Sequence, residues 1–268
     1  MNRDRRRFIA TTATFAAAHL TSIAHAQSPR DGKEPIDGSV IESLAAQRNG
    51  AQLTCIRTPE SNDGPYYYIS SPRRRALAEG RSGVPLKLRI TVASALRPGN
   101  SCPPLSNAVV DVWHADADGL YSNVGADLQA TDTVGQTFMR GHEVTGTTGQ
   151  VEFDSVVPGW EIGRNVARAT HVHVKVFHEN KVLATQLYFP DQFLDQLYAD
   201  VDPYRTHRQM TTPGTGRLLD RLRNEEDGGF LADQSKPMTL GREGNVVTAE
   251  ATIGVATLGS LGVAPLFR

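Results

Sequence analysis

Between Leu86 and Val92 every second residue is apolar, with Leu86, Leu88, Ile90 and Val92 alternating with Lys87, Arg89 and Thr91. Side chains two apart share a face only when the chain is extended, so this segment reads as a strand with one dry and one wet face. The β signature returns at Val109–Trp113, Val151–Phe153, His171–Phe177, Lys181–Phe189 and Val246–Val255. Turn-forming clusters lie between them: Arg97-Pro98-Gly99-Asn100, Gly146-Thr147-Thr148-Gly149 and Glu179-Asn180-Lys181. Short strands punctuated in this way predict an all-β fold, a single β-sandwich domain of mostly antiparallel strands. Helical spacing is sparse and predicts two short peripheral helices, over Asp191–Ala199 and Gly216–Asn224.

Composition narrows the function classes. The 268 residues are 39% hydrophobic and 21% charged, which excludes collagen, a coiled coil and a wholly disordered chain. A formal net charge of -1 gives no basic field for nucleic acid, and no run of about 18 apolar residues is present to anchor the chain in a membrane. There is no internal repeat and no glycine-rich phosphate loop.

The N-terminus carries Arg5-Arg6-Arg7-Phe8-Ile9, a weakly apolar Ala/Thr stretch and Ala24-His25-Ala26. This pattern predicts a twin-arginine export signal over residues 1–26, cleaved after Ala26, hence a periplasmic or secreted protein. Four arginines and one aspartate leave with it, taking the formal charge from -1 to -4. Because that route carries folded proteins, it hints at a cofactor acquired before export. Residues 27–52 are polar and rich in turn formers and read as an N-terminal arm, with the sandwich domain over 53–268. In an oxidising compartment, Cys55 and Cys102 are expected to form one disulfide.

The chemistry concentrates in Arg168-Ala169-Thr170-His171-Val172-His173-Val174-Lys175-Val176-Phe177. On a strand His171 and His173 project to one face while Val172, Val174 and Val176 pack on the other. Two imidazoles so placed can chelate one metal, the bland alternative being a polar sheet face. Flanking segments supply further donors: Trp113-His114-Ala115-Asp116-Ala117-Asp118-Gly119-Leu120-Tyr121-Ser122 and Pro158-Gly159-Trp160-Glu161-Ile162-Gly163-Arg164.

Together with Thr58-Pro59-Glu60, Gly64-Pro65-Tyr66-Tyr67, Arg140-Gly141 and Thr185-Gln186-Leu187-Tyr188-Phe189, these segments resemble the intradiol ring-cleavage dioxygenases in order and spacing from about Cys55 to Phe189. The resemblance implies a non-haem ferric iron, Fe(3+), held by two tyrosinates and two histidines. It implies O2-dependent cleavage of a catechol between its hydroxyls, yielding a muconate-type diacid. Tyr121 matches the first tyrosine ligand and His171 and His173 the histidine pair. Arg168 matches the arginine that stabilises charge on the ring, with Arg164 its rival. Tyr66 matches a substrate-pocket residue, and Gln186 the glutamine beside the site.

The departure is Glu161, which stands where the family carries its second tyrosine ligand. Three readings follow: a surrogate ligand and base, a solvated loop residue beside a three-ligand iron, or the mark of a changed site. A set of His171, His173 and Glu161 also has the composition that holds ferrous iron in other oxygenases. The alternatives to intradiol cleavage are therefore a periplasmic aromatic- or metal-binding sandwich that lost the chemistry, and a different iron-dependent oxygenation. His114 is expected to hydrogen bond behind a ligand, and Asp116, Asp118, His142, His178 and His207 to be turn or surface residues. A homodimer is the expected assembly.

Overall fold

The structure is a computed structural model, and it describes residues 57–95, 102–161, 168–205 and 221–257. Eight strands form two four-stranded sheets: β1 (Pro85–Ala95), β2 (Val109–Trp113), β3 (Arg140–Val144), β4 (Gln150–Val156), β5 (His171–His178), β6 (Lys181–Tyr188), β7 (Thr239–Glu243) and β8 (Val246–Ala256). The first sheet runs β4-β1-β8-β7 and the second β3-β2-β5-β6. Every pair is antiparallel except β1 with β8.

The alternation read from the sequence does the work expected of it. Leu86, Leu88, Ile90 and Val92 of β1 meet Val110 and Val112 of β2, Val172, Val174 and Val176 of β5, and Leu183 and Leu187 of β6 in one buried core between the sheets. Two strands escaped the sequence reading. In β3 one inward position is Gly141, where an added Cβ would come within 2.5 Å of the Leu77 side chain, and in β7 the buried apolar residue is Leu240 alone. Each is recruited by its partner's ladder, β3 by β2 and β7 by β8, rather than by an alternation of its own.

Helix α1 (Asp191–Asp200) lies outside both sheets but sends Phe193, Leu194 and Leu197 into the core. The second expected helix falls mostly outside the described residues. Its described end, 221–223, is irregular and leads into a 3-10 turn at Asn224–Glu226 and a short helix α2 (Gly228–Ala232). The expected signal, arm and Arg97–Asn100 turn also lie outside the described residues.

Since Val172, Val174 and Val176 fill the core, His171, His173 and Lys175 stand on the other face of the second sheet. Register then aligns Arg140, Trp113, His173 and Gln186 in one row across the four strands, with His171 opposite Tyr188. The site is built on this outward face.

Candidate functional site

His171 donates from Nδ1 to the Ala169 carbonyl at 2.6 Å, because a carbonyl can only accept. Its neutral ring therefore presents a lone pair at Nε2, and His173 Nε2 lies 3.0 Å from that atom. Both rings are buried, and burial, reinforced by neighbouring positive charge, depresses their pKa values: to about 4 for His171, and well below the ordinary value for His173. Trp113 lies flat against His173, with ring centroids 4.9 Å apart at 3°. Gly64 also approaches this ring: its φ of +68° favours glycine, and an added Cβ there would sit 3.0 Å from His173 Cε1.

Tyr121 reaches the same face from the loop after β2. The Asp116 carboxylate accepts from the amides of Asp118 and Leu120 and folds that loop. Gln129 then accepts from the Tyr121 amide and donates to its carbonyl, both at 2.9 Å, so the tyrosine backbone is fixed from two sides. The ring packs on Tyr66 at 4.7 Å and meets His173 edge-on at 6.3 Å. Its hydroxyl donates to Glu161 Oε2 at 3.1 Å. Burial and the adjacent carboxylate raise the Tyr121 pKa well above 10, while burial raises that of Glu161 to about 7. Arg140, buried behind this pair and bonded through Nε and Nη2 to Ser122, brings a positive charge that opposes the rise at Tyr121.

Arg168 enters one turn ahead of His171. Its Nε and Nη2 grip the two oxygens of Asp227 at 2.8 and 3.1 Å, and Nη2 also reaches Gln186 Oε1 at 2.6 Å and the Tyr188 hydroxyl at 3.1 Å. Burial works against the guanidinium charge, yet hydrogen bonding to Asp227 holds its pKa above the ordinary arginine value.

The structure thus brings Tyr121, Glu161, Arg168, His171, His173, Gln186 and Tyr66 to one face. Arg164, Cys55 and His207 lie outside the described residues. Cys102 is disulfide-bonded. Asp116 is the turn residue expected, and its side chain is 1% exposed because the carboxylate sits inside the loop it folds, beside Arg81 at 3.2 Å. One expectation is corrected. His114 contacts no ligand candidate: it follows Trp113 on the strand, faces the opposite way, and bonds the Ala115 carbonyl and Ser155 Oγ. His142 and His178 are part-buried, and Asp118 is an exposed turn residue.

Sequence reasoning missed Asp227, Gln129 and the Trp113 stack. Asp227 followed by Gly228-Gly229 was readable as a helix cap, and it does accept from the Gly229 and Phe230 amides, but nothing local pointed to Arg168.

The donors fit a metal that accepts nitrogen and hard oxygen. Two imidazole nitrogens about 2.1 Å from one cation at a right angle lie about 3.0 Å apart, the separation found here. In addition, His173 Nδ1 and Gln186 Nε2 are buried without a hydrogen-bond partner among the described residues. No three His, Cys, Asp or Glu side chains gather as a metal cluster among the described residues. The histidine pair and Glu161 are joined instead through Tyr121.

A family model described as Dioxygenase matches residues 62–229. Chlorocatechol 1,2-dioxygenase of Rhodococcus opacus is 34% identical over 174 residues, 59% of this chain and 64% of that protein. The protocatechuate 3,4-dioxygenase beta chain of Burkholderia cepacia is 32% identical over 172 residues, 61% of this chain and 69% of that one. This chain therefore spans slightly less than two thirds of the Rhodococcus protein's length. Among solved structures, an intradiol ring-cleavage dioxygenase from Tetranychus urticae shares the fold at a TM-score of 0.62 and 23% identity, over 76% of this chain and 96% of that one. The dioxygenase domain of a carbohydrate-binding fusion from Streptomyces sp. SirexAA-E aligns at 0.51 and 27% identity, over 75% and 98%.

Proposed function

This chain belongs to the intradiol ring-cleavage dioxygenase family, and from that premise we propose that it cleaves a catechol-type ring between its hydroxyls with O2, using a non-haem iron held by His171, His173 and Tyr121. The observation that carries the reading is the meeting, on one sheet face, of two Nε2 atoms 3.0 Å apart with the Tyr121–Glu161 hydrogen bond and a fixed Arg168. An iron held by His171, His173 and Tyr121 would supply the electronic coupling that lets a catechol-type substrate react with O2.

The chain's own residues do the rest. His171 keeps its proton on Nδ1, which leaves Nε2 free for coordination. Glu161 occupies the second tyrosine's position, and as a carboxylate it takes up the proton that a catechol hydroxyl must lose on binding. Burial has already moved Glu161 most of the way from an ordinary carboxylate to a base suited to neutral pH. Arg168 offers positive charge to the ring as negative charge develops there. Tyr66 and Tyr67, packed on Tyr121 and Trp113, wall the face on which a flat ring would lie.

The Arg5-Arg6-Arg7 and Ala24-His25-Ala26 pattern supports export by the twin-arginine route to the periplasm or beyond. The Cys102 disulfide agrees with an oxidising destination.

The test is iron content and the visible spectrum of the purified protein, with and without catechol in the absence of O2, followed by O2 uptake. A tyrosinate charge-transfer band that shifts with catechol, then O2 consumption, is expected. Iron that catechol does not perturb would shift the reading to a binding sandwich with altered chemistry.

A further inference from the structure

We propose that Asp227 positions Arg168 for ring cleavage, with Gly229 clearing the space that its guanidinium occupies; this rests on the intradiol reading above. Asp227 is 0% exposed and comes from the segment between α1 and β7, 59 residues from Arg168 in sequence. Its carboxylate accepts from Arg168 Nε at 2.8 Å and Nη2 at 3.1 Å, a two-point grip that fixes both the position and the plane of the guanidinium. The same carboxylate accepts from the Ala169 amide at 2.7 Å and the Gly229 amide at 2.8 Å. Asp227 thereby ties Ala169, which follows Arg168 and lies two residues before His171, to the turn at Gly229.

The rest of the surroundings leave the guanidinium one pose. Gln186 Oε1 and the Tyr188 hydroxyl share Nη2, and Tyr188 is itself bonded to Gln186 at 2.7 Å. A Cβ at Gly229 would lie 2.5 Å from Arg168 Nη2 and 3.1 Å from both Asp227 Oδ1 and the Tyr188 hydroxyl. None of these bonds uses Nη1, and the side chain stays 21% exposed, so one edge of the guanidinium faces outward while the other is held. A charge aimed in advance at the ring acts mainly in the transition state, so losing its orientation lowers kcat more than it weakens substrate binding.

The experiment compares the iron-loaded wild type with Asp227→Asn, Asp227→Glu, Gly229→Ala, Arg168→Gln and the Arg168→Gln/Asp227→Asn double variant. Each is assayed for kcat by O2 uptake and for anaerobic catechol Kd by spectral titration. Asp227→Asn is expected to lower kcat about 30- to 100-fold with Kd changed by less than about threefold, and Asp227→Glu to recover part of that loss. In the Arg168→Gln background, Asp227→Asn should cost less than about threefold more, because the residue it positions is gone. Should Asp227→Asn fail to fold, Gly229→Ala decides alone, with an expected kcat loss of about tenfold at unchanged Kd. Equal losses from Asp227→Asn in both backgrounds, or an unchanged kcat in Gly229→Ala, would overturn the positioning role. A wild type that consumes no O2 with any catechol would instead overturn the functional reading, and this one with it.

Discussion

The Tyr121 hydroxyl donates a hydrogen bond to Glu161 Oε2 across 3.1 Å, so the tyrosine proposed to hold iron and the carboxylate proposed as base are tied to each other. The pair reads as a unit rather than as a ligand beside a stray loop carboxylate. Replacing either partner alone should then separate two functions.

Tyr121→Phe removes the phenol oxygen and leaves a buried carboxylate without its donor, so loss of the visible band and most of the bound iron is expected, read by absorption and metal analysis. Glu161→Gln keeps a hydrogen-bond acceptor at the same length but not a base. It should retain iron and the band while kcat falls about 100-fold or more, the usual cost of removing a general base.

The position of His114 sets a pH dependence of stability. It is 1% exposed, and burial depresses its pKa from 6.5 to about 4. As pH falls below 6.5 the unfolded chain takes the proton before the folded one does, so stability complete above 6.5 is lost down to about pH 4. The loss amounts to about 3 kcal/mol for this residue. Buried Asp111, raised to about 6 by desolvation, acts oppositely over part of that window, so the residue-specific readout is a difference. Urea midpoints of metal-free wild type and His114→Gln between pH 4 and 6.5 should diverge, with the wild type falling more steeply on acidification by up to about one proton. Parallel curves would contradict the assignment.

How far the sequence revealed this molecule depended on whether a residue's role was local. The strands β1, β2, β5, β6 and β8 were legible because their apolar faces meet the core directly, and His171 with His173 because one strand carries both. The strand Arg140–Val144 was not, since its site face holds Arg140 and His142 and Gly141 points at Leu77. Asp227 was invisible as a site residue because its partner Arg168 is reached through the fold alone. Asp116 looked like a turn residue and is one, but a turn folded around its own carboxylate buries it.

Lys175 shows how the covering segment is attached. Two residues beyond His173 on the same face, it pairs with Asp63 at 2.5 Å and holds its ammonium 4.2 Å above the Tyr67 ring. Both contacts lie in the stretch that brings Gly64 up to His173. Lys175→Met keeps the stem that packs on the ring and removes the charge. A loss of about 1–2 kcal/mol is expected in thermal unfolding, with faster amide exchange at 63–67. If that stretch walls the substrate ring as proposed, KM for catechol should rise about three- to tenfold with kcat nearly unchanged.

Gly64 gives the sharpest steric test of the histidine site. Its φ of +68° strains any residue with a side chain by about 1–2 kcal/mol, and the new Cβ would stand 3.0 Å from His173 Cε1. Trp113, stacked parallel to the ring with centroids 4.9 Å apart, limits how far the imidazole can tilt. Gly64→Ala therefore has two ways to relax: the 63–67 segment lifts, or the imidazole tilts and its Nε2 leaves the 3.0 Å approach to His171. Lifting would raise KM and leave iron content intact. Tilting would lower iron occupancy about 10- to 100-fold in affinity, the scale on which disturbed ligand orientation is felt. With the tryptophan stacked on the ring and that part of the segment held by side-chain contacts, the Asp63–Lys175 pair and the Tyr66 and Tyr67 packing, lifting is the expected outcome: metal analysis near wild type, with KM raised as in Lys175→Met.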